Sequence, residues 1–217
     1  MFRYFFLISL ITHFSLSQES SQLSDSIIKY KHINPTLALD YGIQYNNLIL
    51  DRKPDTEIQQ VYGNIGEILS AIGLDAAALD YLKRSIKIYE AIPEDERKFP
   101  ELDQPPGVLL NIGNIYYRNK KYDKADEFFI KTISLYEKLS EEDTKFFGIN
   151  TAMSNRGLVR QAKGDYTGAE KIFMDVYERR KEYNKVEDVL YSLNNILTVL
   201  LLKNEIVNAE NILASSK

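Results

Sequence analysis

Cysteine is absent from the 217 residues, tryptophan is absent too, and histidine occurs twice. Without cysteine there can be no disulfide framework, thiolate zinc site or cysteine nucleophile, and two histidines nearly exclude a multi-histidine metal centre. No G-x-S-x-G elbow occurs, and the carboxylates fall at helical surface spacing with no distinguishable acid and base pair. A carboxylate-only glycosidase is the one enzyme class left formally open. Excess charge is lacking as well. The 27 basic and 31 acidic residues give a formal charge of -4, which opposes the phosphate backbone and disfavours nucleic-acid binding. Long apolar runs are missing: NNILTVLLLKN at 194–204 is too short to span a bilayer. What remains, at 44% hydrophobic and 27% charged, is a folded globular chain. It is expected to bind a protein or peptide, with no catalysis, cofactor or metal.

The first seventeen residues, MFRYFFLISLITHFSLS, set Arg3 ahead of an apolar run over 5–16 and end in Ser15-Leu16-Ser17. That order reads as a secretory signal with cleavage after Ser17, so an exported, periplasmic or secreted bacterial protein is expected. The mature chain would carry 26 basic against 31 acidic residues, a charge of -5, with His32 as its remaining histidine. His32 precedes Asn34-Pro35, where one helix should stop and another begin, and reads as a loop residue.

Aligned against itself, the chain repeats. NIGEILSAIGLDAAALDYL from Asn64, NIGNIYYRNKKYDKADEFF from Asn111 and NRGLVRQAKGDYTGAEKIF from Asn155 share one register, and a weaker copy starts at Asn195. In each copy an alanine follows the asparagine by 14 residues: Ala78, Ala125, Ala169 and Ala209. Between copies, starting from Ala38, the alanine spacing drifts through 40, 47, 44 and 40. A fixed interior with elastic joints is what stacked helical hairpins require. In the Asn111 copy Leu109, Ile112, Gly113 and Tyr116 share a helical stripe. A turn follows at 119–122, and Ala125, Phe128, Phe129, Ile133 and Tyr136 mark a second helix. Gly66, Gly113 and Gly157 sit inside first helices, where glycine costs about 1 kcal/mol relative to alanine. Close approach of the second helix, with its small Ala78, Ala125 or Ala169, is the expected compensation.

These residues resemble the tetratricopeptide repeat, whose pattern runs from a large residue through an aliphatic-Gly pair and an aromatic to Ala and a large apolar residue. Leu109, Ile112, Gly113, Tyr116, Ala125 and Phe129 match it, as do Tyr62, Ile65, Gly66, Leu69, Ala78 and Leu82, and Met153, Gly157, Ala169 and Phe173. Arg156, Arg160 and Leu197 depart from it, and Leu197 at a glycine position should loosen the final hairpin. The resemblance covers roughly residues 23–217 and implies an all-α, right-handed solenoid of about five helical hairpins. Residues 1–17 form the signal and 18–56 a polar start with a degenerate first hairpin, NPTLALDYGIQYNNL preceded by a short QLSDSIIKYK. Repeats follow within 57–217, at about 57–92, 105–139, 147–183 and 187–215. The joint PEDERKFPELDQPP at 93–106 reads as a solvated loop.

The resemblance also implies that first helices line a concave groove. Residues three and four apart on a helix share a face, so Gln60, Asn64, Glu67 and Ala71 project together. The same stripe continues with Asn111, Asn114 and Arg118, then Thr151, Asn155 and Leu158, then Tyr191, Asn195 and Thr198. An amide offers both donor and acceptor, so a ladder of asparagines could hold a peptide backbone irrespective of its side chains. Each could equally brace the neighbouring hairpin. Leu158, Tyr117 and Tyr191 are candidate anchors. Gly63, Leu110, Ser154 and a single Arg118 make a basic carboxylate clamp on this face a poor fit. The run ERRKEYNK at 178–185 is expected on the outer, solvated face. The expected function is an exported scaffold that takes an extended partner segment in its groove. The alternative is the periplasmic sensor region of a membrane-bound histidine kinase or transcriptional regulator, since the style is similar to exported regions of Bacteroidetes proteins.

Overall fold

The computed structural model describes residues 17–50, 52–183 and 186–215, so the expected signal, apart from Ser17, lies outside the described residues. Among the described residues there are ten α-helices and no strand. Helix α1 covers 17–30, α2 Pro35–Leu48, α3 Thr56–Ala71 and α4 Asp75–Ala91. A short 3-10 turn, Glu94–Glu96, precedes α5 at Pro106–Arg118. Then come α6 at Tyr122–Glu137, α7 at Glu142–Ala162, α8 at Tyr166–Tyr183, α9 at Val186–Leu202 and α10 at Ile206–Ser215. Taken in pairs these are five hairpins. The chain divides into two compact units, Met1–Val108 and Leu109–Lys217. In the first, α3 packs on α2 and α4; in the second, α6 to α10 pack each on the next.

Helix starts follow local chemistry. Asn34 accepts from the Leu37 amide at 3.2 Å ahead of Pro35, Asp55 accepts from Ile58 at 2.9 Å, and Asp165 accepts from Gly168 at 2.9 Å. The turns inside hairpins are more uniform still. Gly73, Lys120, Gly164 and Asn204 each lie nine residues after the recurring asparagine, and all have positive φ, at 84°, 58°, 81° and 61°. After each, an amide closes back five residues: Leu74 to Leu69, Lys121 to Tyr116, Asp165 to Arg160 and Glu205 to Leu200, at 2.8 to 2.9 Å. This is one Schellman turn used four times.

The glycines in first helices do permit close approach, but the group that enters is not the small alanine. Ala78, Ala125 and Ala169 are fully buried. Four residues further on, Leu82, Phe129 and Phe173 turn towards the glycine. A Cβ at Gly66 would meet Leu82 at 2.7 Å, one at Gly113 would meet the Phe129 ring at 2.5 Å, and one at Gly157 would collide with Phe173. The notch admits a large side chain because the alanine one turn earlier has already brought the helices together. In the last hairpin Leu197 fills the glycine position, and Leu213, the counterpart of Phe173, is 49% exposed. That hairpin is looser, as its sequence implied.

Three local expectations change. Residues 18–22 are helical and continue into 23–30, so the first hairpin has a full first helix. Helix α7 begins at Glu142 rather than near 147. The proline-rich joint is docked rather than free: Leu102 is buried, the Tyr89 hydroxyl donates to the Phe99 carbonyl at 2.8 Å, and Arg97 donates to the Ile92 carbonyl at 3.0 Å. Its acidic side chains Glu94, Asp95, Glu96, Glu101 and Asp103 stay exposed.

Gly113→Ala is expected to destabilise the protein by about 1–3 kcal/mol through overpacking, despite alanine's better helix propensity. Urea unfolding measures this, and adding Phe129→Leu should recover part of the loss; unchanged stability in Gly113→Ala would remove the notch from the account.

Candidate functional site: the α5 and α7 face

In the second unit α5 and α7 face each other across α6. Two pockets follow one another along this pair. The first, of about 290 Å³, is lined by Asn114, Tyr117 and Arg118 from α5, Asn155 and Leu158 from α7, and Phe129 from α6. The second, of about 400 Å³, is lined by Leu110, Tyr136, Asp143, Thr144, Phe147, Gly148 and Thr151. One helical turn separates Leu110 from Asn114 and Thr151 from Asn155, so the walls are single stripes. Phe129 and Tyr136, seven residues apart on α6, provide the floor of one pocket and part of the other. Tyr136 gains its place because Gly148 has no side chain there: a Cβ would enter the phenol ring.

The stripe Asn114, Arg118, Asn155 and Leu158 therefore comes together, joined by Tyr117 and, one turn away, Thr151. Asn155 Nδ2 donates to Asn114 Oδ1 at 2.8 Å, so the asparagines brace neighbouring first helices through side chains rather than through backbone groups. The pair is not exhausted by this bond. An amide carries two N–H donors and an acceptor oxygen, leaving Asn155 Oδ1 and the Asn114 amino group to present an acceptor and a donor. Burial raises the Tyr117 pKa, with smaller contributions from the Tyr122 and Tyr191 hydroxyls, and burial alone raises that of Tyr136. Both phenols stay protonated donors.

Other expected groove residues are placed differently. Asn111 is half-buried on α5 and lines neither pocket. In the first unit Asn64 and Glu67 do share a face, but Lys31 covers it: its ammonium bonds Asn64 Oδ1 at 3.2 Å and Glu67 Oε2 at 3.0 Å. His32, 72% exposed in the loop before α2, lies 3.6 Å from Glu67 Oε1. Tyr191 is half-exposed on α9, whereas Asn195 is buried and its Nδ2 has no acceptor. The repeat register explains the last point: Asn114 stands three residues after Asn111, and the matching residue after Asn155 is Leu158, which cannot bond an amide. Arg156 and Arg160, the two departures on α7, pair with Asp126 at 2.7 Å and Asp165 at 3.1 Å. Arg180, expected on a solvated face, is instead 5% exposed.

The sequence stripe missed Tyr136, Asp143, Thr144 and Phe147, because α7 starts a turn earlier than its hydrophobic pattern indicates. Gly148, twelve residues after Tyr136, was the available signal. Among the described residues no group of three or more metal-binding side chains occurs, and no helix is long and apolar enough to cross a membrane.

Paired antiparallel helices with a fixed interior and a lined face between first helices define a helical-repeat scaffold for protein–protein interaction. More specifically, the chain carries tetratricopeptide repeats: models of this repeat match residues 59–92 and 107–144. Solved structures share the fold. A putative kinesin light chain with nearly identical TPR-like repeats from Podosopora anserina aligns at TM-score 0.65 and 14% identity, over 90% of this chain and 93% of that one. PilF of Pseudomonas aeruginosa aligns at 0.63 and 12%, over 91% and 75%, and MamA at 0.52 and 23%, over 76% and 81%. A search of curated proteins gave no match in sequence. The tetratricopeptide fold is in general a non-catalytic scaffold.

A double-mutant cycle on Asn114→Ala and Asn155→Ala should return a coupling of about 0.5–1.5 kcal/mol. Additive losses in thermal unfolding would mean that the bond between the two amides does not brace the helices.

Proposed function

We propose that the face between α5 and α7 binds an extended polypeptide segment. The observation that carries this reading is the order of its lining: an amide pair with spare donor and acceptor capacity sits between an aromatic pocket at Tyr136 and Phe147 and an apolar wall at Leu158. Extended backbone offers one donor and one acceptor per residue, which the Asn114 and Asn155 amides can meet without reading side chains. Affinity must then come from apolar anchoring, since each net hydrogen bond contributes only about 0.5–1.5 kcal/mol. Tyr136, Phe147 and Leu158 offer that anchoring surface. The Lys31 contact in the first unit favours confining the proposal to the second.

Peptides selected from a random displayed library against the whole protein supply the test. In Asn114→Ala/Asn155→Ala their binding should weaken about tenfold, the effect of losing one or two such bonds, with helical circular dichroism unchanged. Binding of full strength in the folded double variant would overturn the reading.

We further propose that the protein is exported. Arg3, the apolar run over 5–16 and the small residues Ser15 and Ser17 support this. Fractionation of the native host with an immunoblot should find the protein outside the cytosol, and N-terminal sequencing should begin at Gln18. A cytosolic protein that retains residues 1–17 would refute export.

A further inference from the structure

The second unit buries a cation that forms no ion pair with a carboxylate among the described residues. Arg180 follows Ala169 by eleven residues, the interval that separates Tyr89 from Ala78 and Tyr136 from Ala125. A guanidinium thus stands where two other hairpins carry a phenol. It is 5% exposed. Nη1 donates to Ser192 Oγ at 2.9 Å and to the Asp188 carbonyl at 3.5 Å, and Nε is buried without an acceptor. No Asp or Glu among the described residues forms an ion pair with it, although its neighbours Arg179 and Lys181 both have one. Burial pulls its pKa down, and Asp188 and Tyr191 oppose this only from a distance.

An arginine does not discharge by losing its proton, so burial leaves it demanding an anion. Neutral acceptors such as the Ser192 hydroxyl satisfy hydrogens but not charge. Asn150 on α7 has an Oδ1 that is likewise buried without a partner. Tyr191, half-exposed, lies over the guanidinium with its centroid 5.7 Å away. The Tyr191 hydroxyl is also near enough to Tyr117 to raise its pKa, and Tyr117 lines the Asn114 and Asn155 pocket. Asn195, one turn beyond Ser192 and Tyr191 on α9, adds a second buried donor without an acceptor.

We propose that Arg180, with Ser192 and Asn195 of α9 and Tyr191 as its cover, forms a subsite for a carboxylate carried by the bound segment. The planar edge formed by Nε and Nη2 matches the two oxygens of a carboxylate. The cation comes from a second helix, α8, rather than from the first-helix face. The assignment of the carboxylate to a bound segment rests on the peptide-binding reading above; the anion site itself does not.

The test compares three ten-residue probes by fluorescence anisotropy: alternating Thr-Glu with both ends blocked, its Thr-Gln twin, and the Thr-Gln peptide with a free C-terminal carboxylate. The reference variant is Arg180→Tyr, which installs the residue found at the matching position of two other hairpins. The wild type should bind a carboxylate-bearing probe at least tenfold tighter than the blocked Thr-Gln probe, and Arg180→Tyr should erase that difference. Preference for the Thr-Glu probe identifies a side-chain carboxylate, and preference for the free terminus identifies a chain end; both support the subsite. Equal binding of all three overturns it while leaving peptide binding intact. If none binds, the peptide reading is decided by the displayed-library selection, and the subsite is read from thermal unfolding in sodium glutamate against sodium chloride at equal ionic strength. A higher Tm in glutamate for the wild type and not for Arg180→Tyr supports it; equal shifts overturn it.

Discussion

Insertion of Leu82, Phe129 and Phe173 into glycine notches at Gly66, Gly113 and Gly157 governs the hairpins of this protein. A side chain locked at that depth fixes the distance, register and rotation of the second helix against the first. The Schellman turns at Gly73, Lys120 and Gly164 then have one length available to them, because the closing amides must meet carbonyls already placed by the notch. Where the notch is filled by Leu197, the turn at Asn204 persists while Leu213 faces solvent. Turn geometry can therefore survive without the notch, but deep interdigitation cannot.

With the hairpin interior fixed, function is left to the joints and to the first-helix faces. The drift of alanine spacing shows where length is tolerated, and the joint of greatest length is held by Tyr89, Arg97 and Leu102 rather than left loose. In the second unit the joint after α6 lets α7 begin at Glu142, which brings Asp143, Thr144 and Phe147 to the wall of the second pocket. Tyr136 reaches the same pocket because Gly148 leaves room. A glycine outside the repeat signature thus shapes a pocket in the same way that the signature glycines shape a core.

The helical class, the five hairpins and the Asn114, Arg118, Asn155 and Leu158 cluster were legible in the sequence because all three follow from periodicity and from a constant interval of 14 residues. Pairing was not legible. The sequence cannot tell whether an amide at a repeated position meets another amide, a lysine or a leucine, and here each occurs: Asn155 meets Asn114, Asn64 meets Lys31, and Asn195 has Leu158 at the matching position. The fate of Arg180 was hidden for a related reason. Within ERRKEYNK it looks like one more solvated charge, and only its interval from Ala169, measured against Tyr89 and Tyr136, reveals that it points inward.

Those same intervals account for two of the unpartnered polar atoms, on Asn150 and Asn195. Gln59 and Ser85 pair inside the α3 and α4 hairpin at 2.9 Å, 26 residues apart. Asn150 stands at the position of Gln59, five residues before the recurring asparagine, but the residue 26 further on is Val176. Asn195 likewise has Leu158, which offers no acceptor, at the matching position. Each buried amide atom without a partner costs about 1–3 kcal/mol, and a buried guanidinium without an anion costs more. Three such groups, Asn150, Arg180 and Asn195, fall on the consecutive helices α7, α8 and α9 of the second unit, and the first unit has two of its own, Asn46 and Gln104. Of the three, Arg180 alone carries a charge, so an acceptor from solvent could meet its hydrogens but an anion is needed to offset its burial, and Tyr191 stacked over it is the half-exposed side of that group.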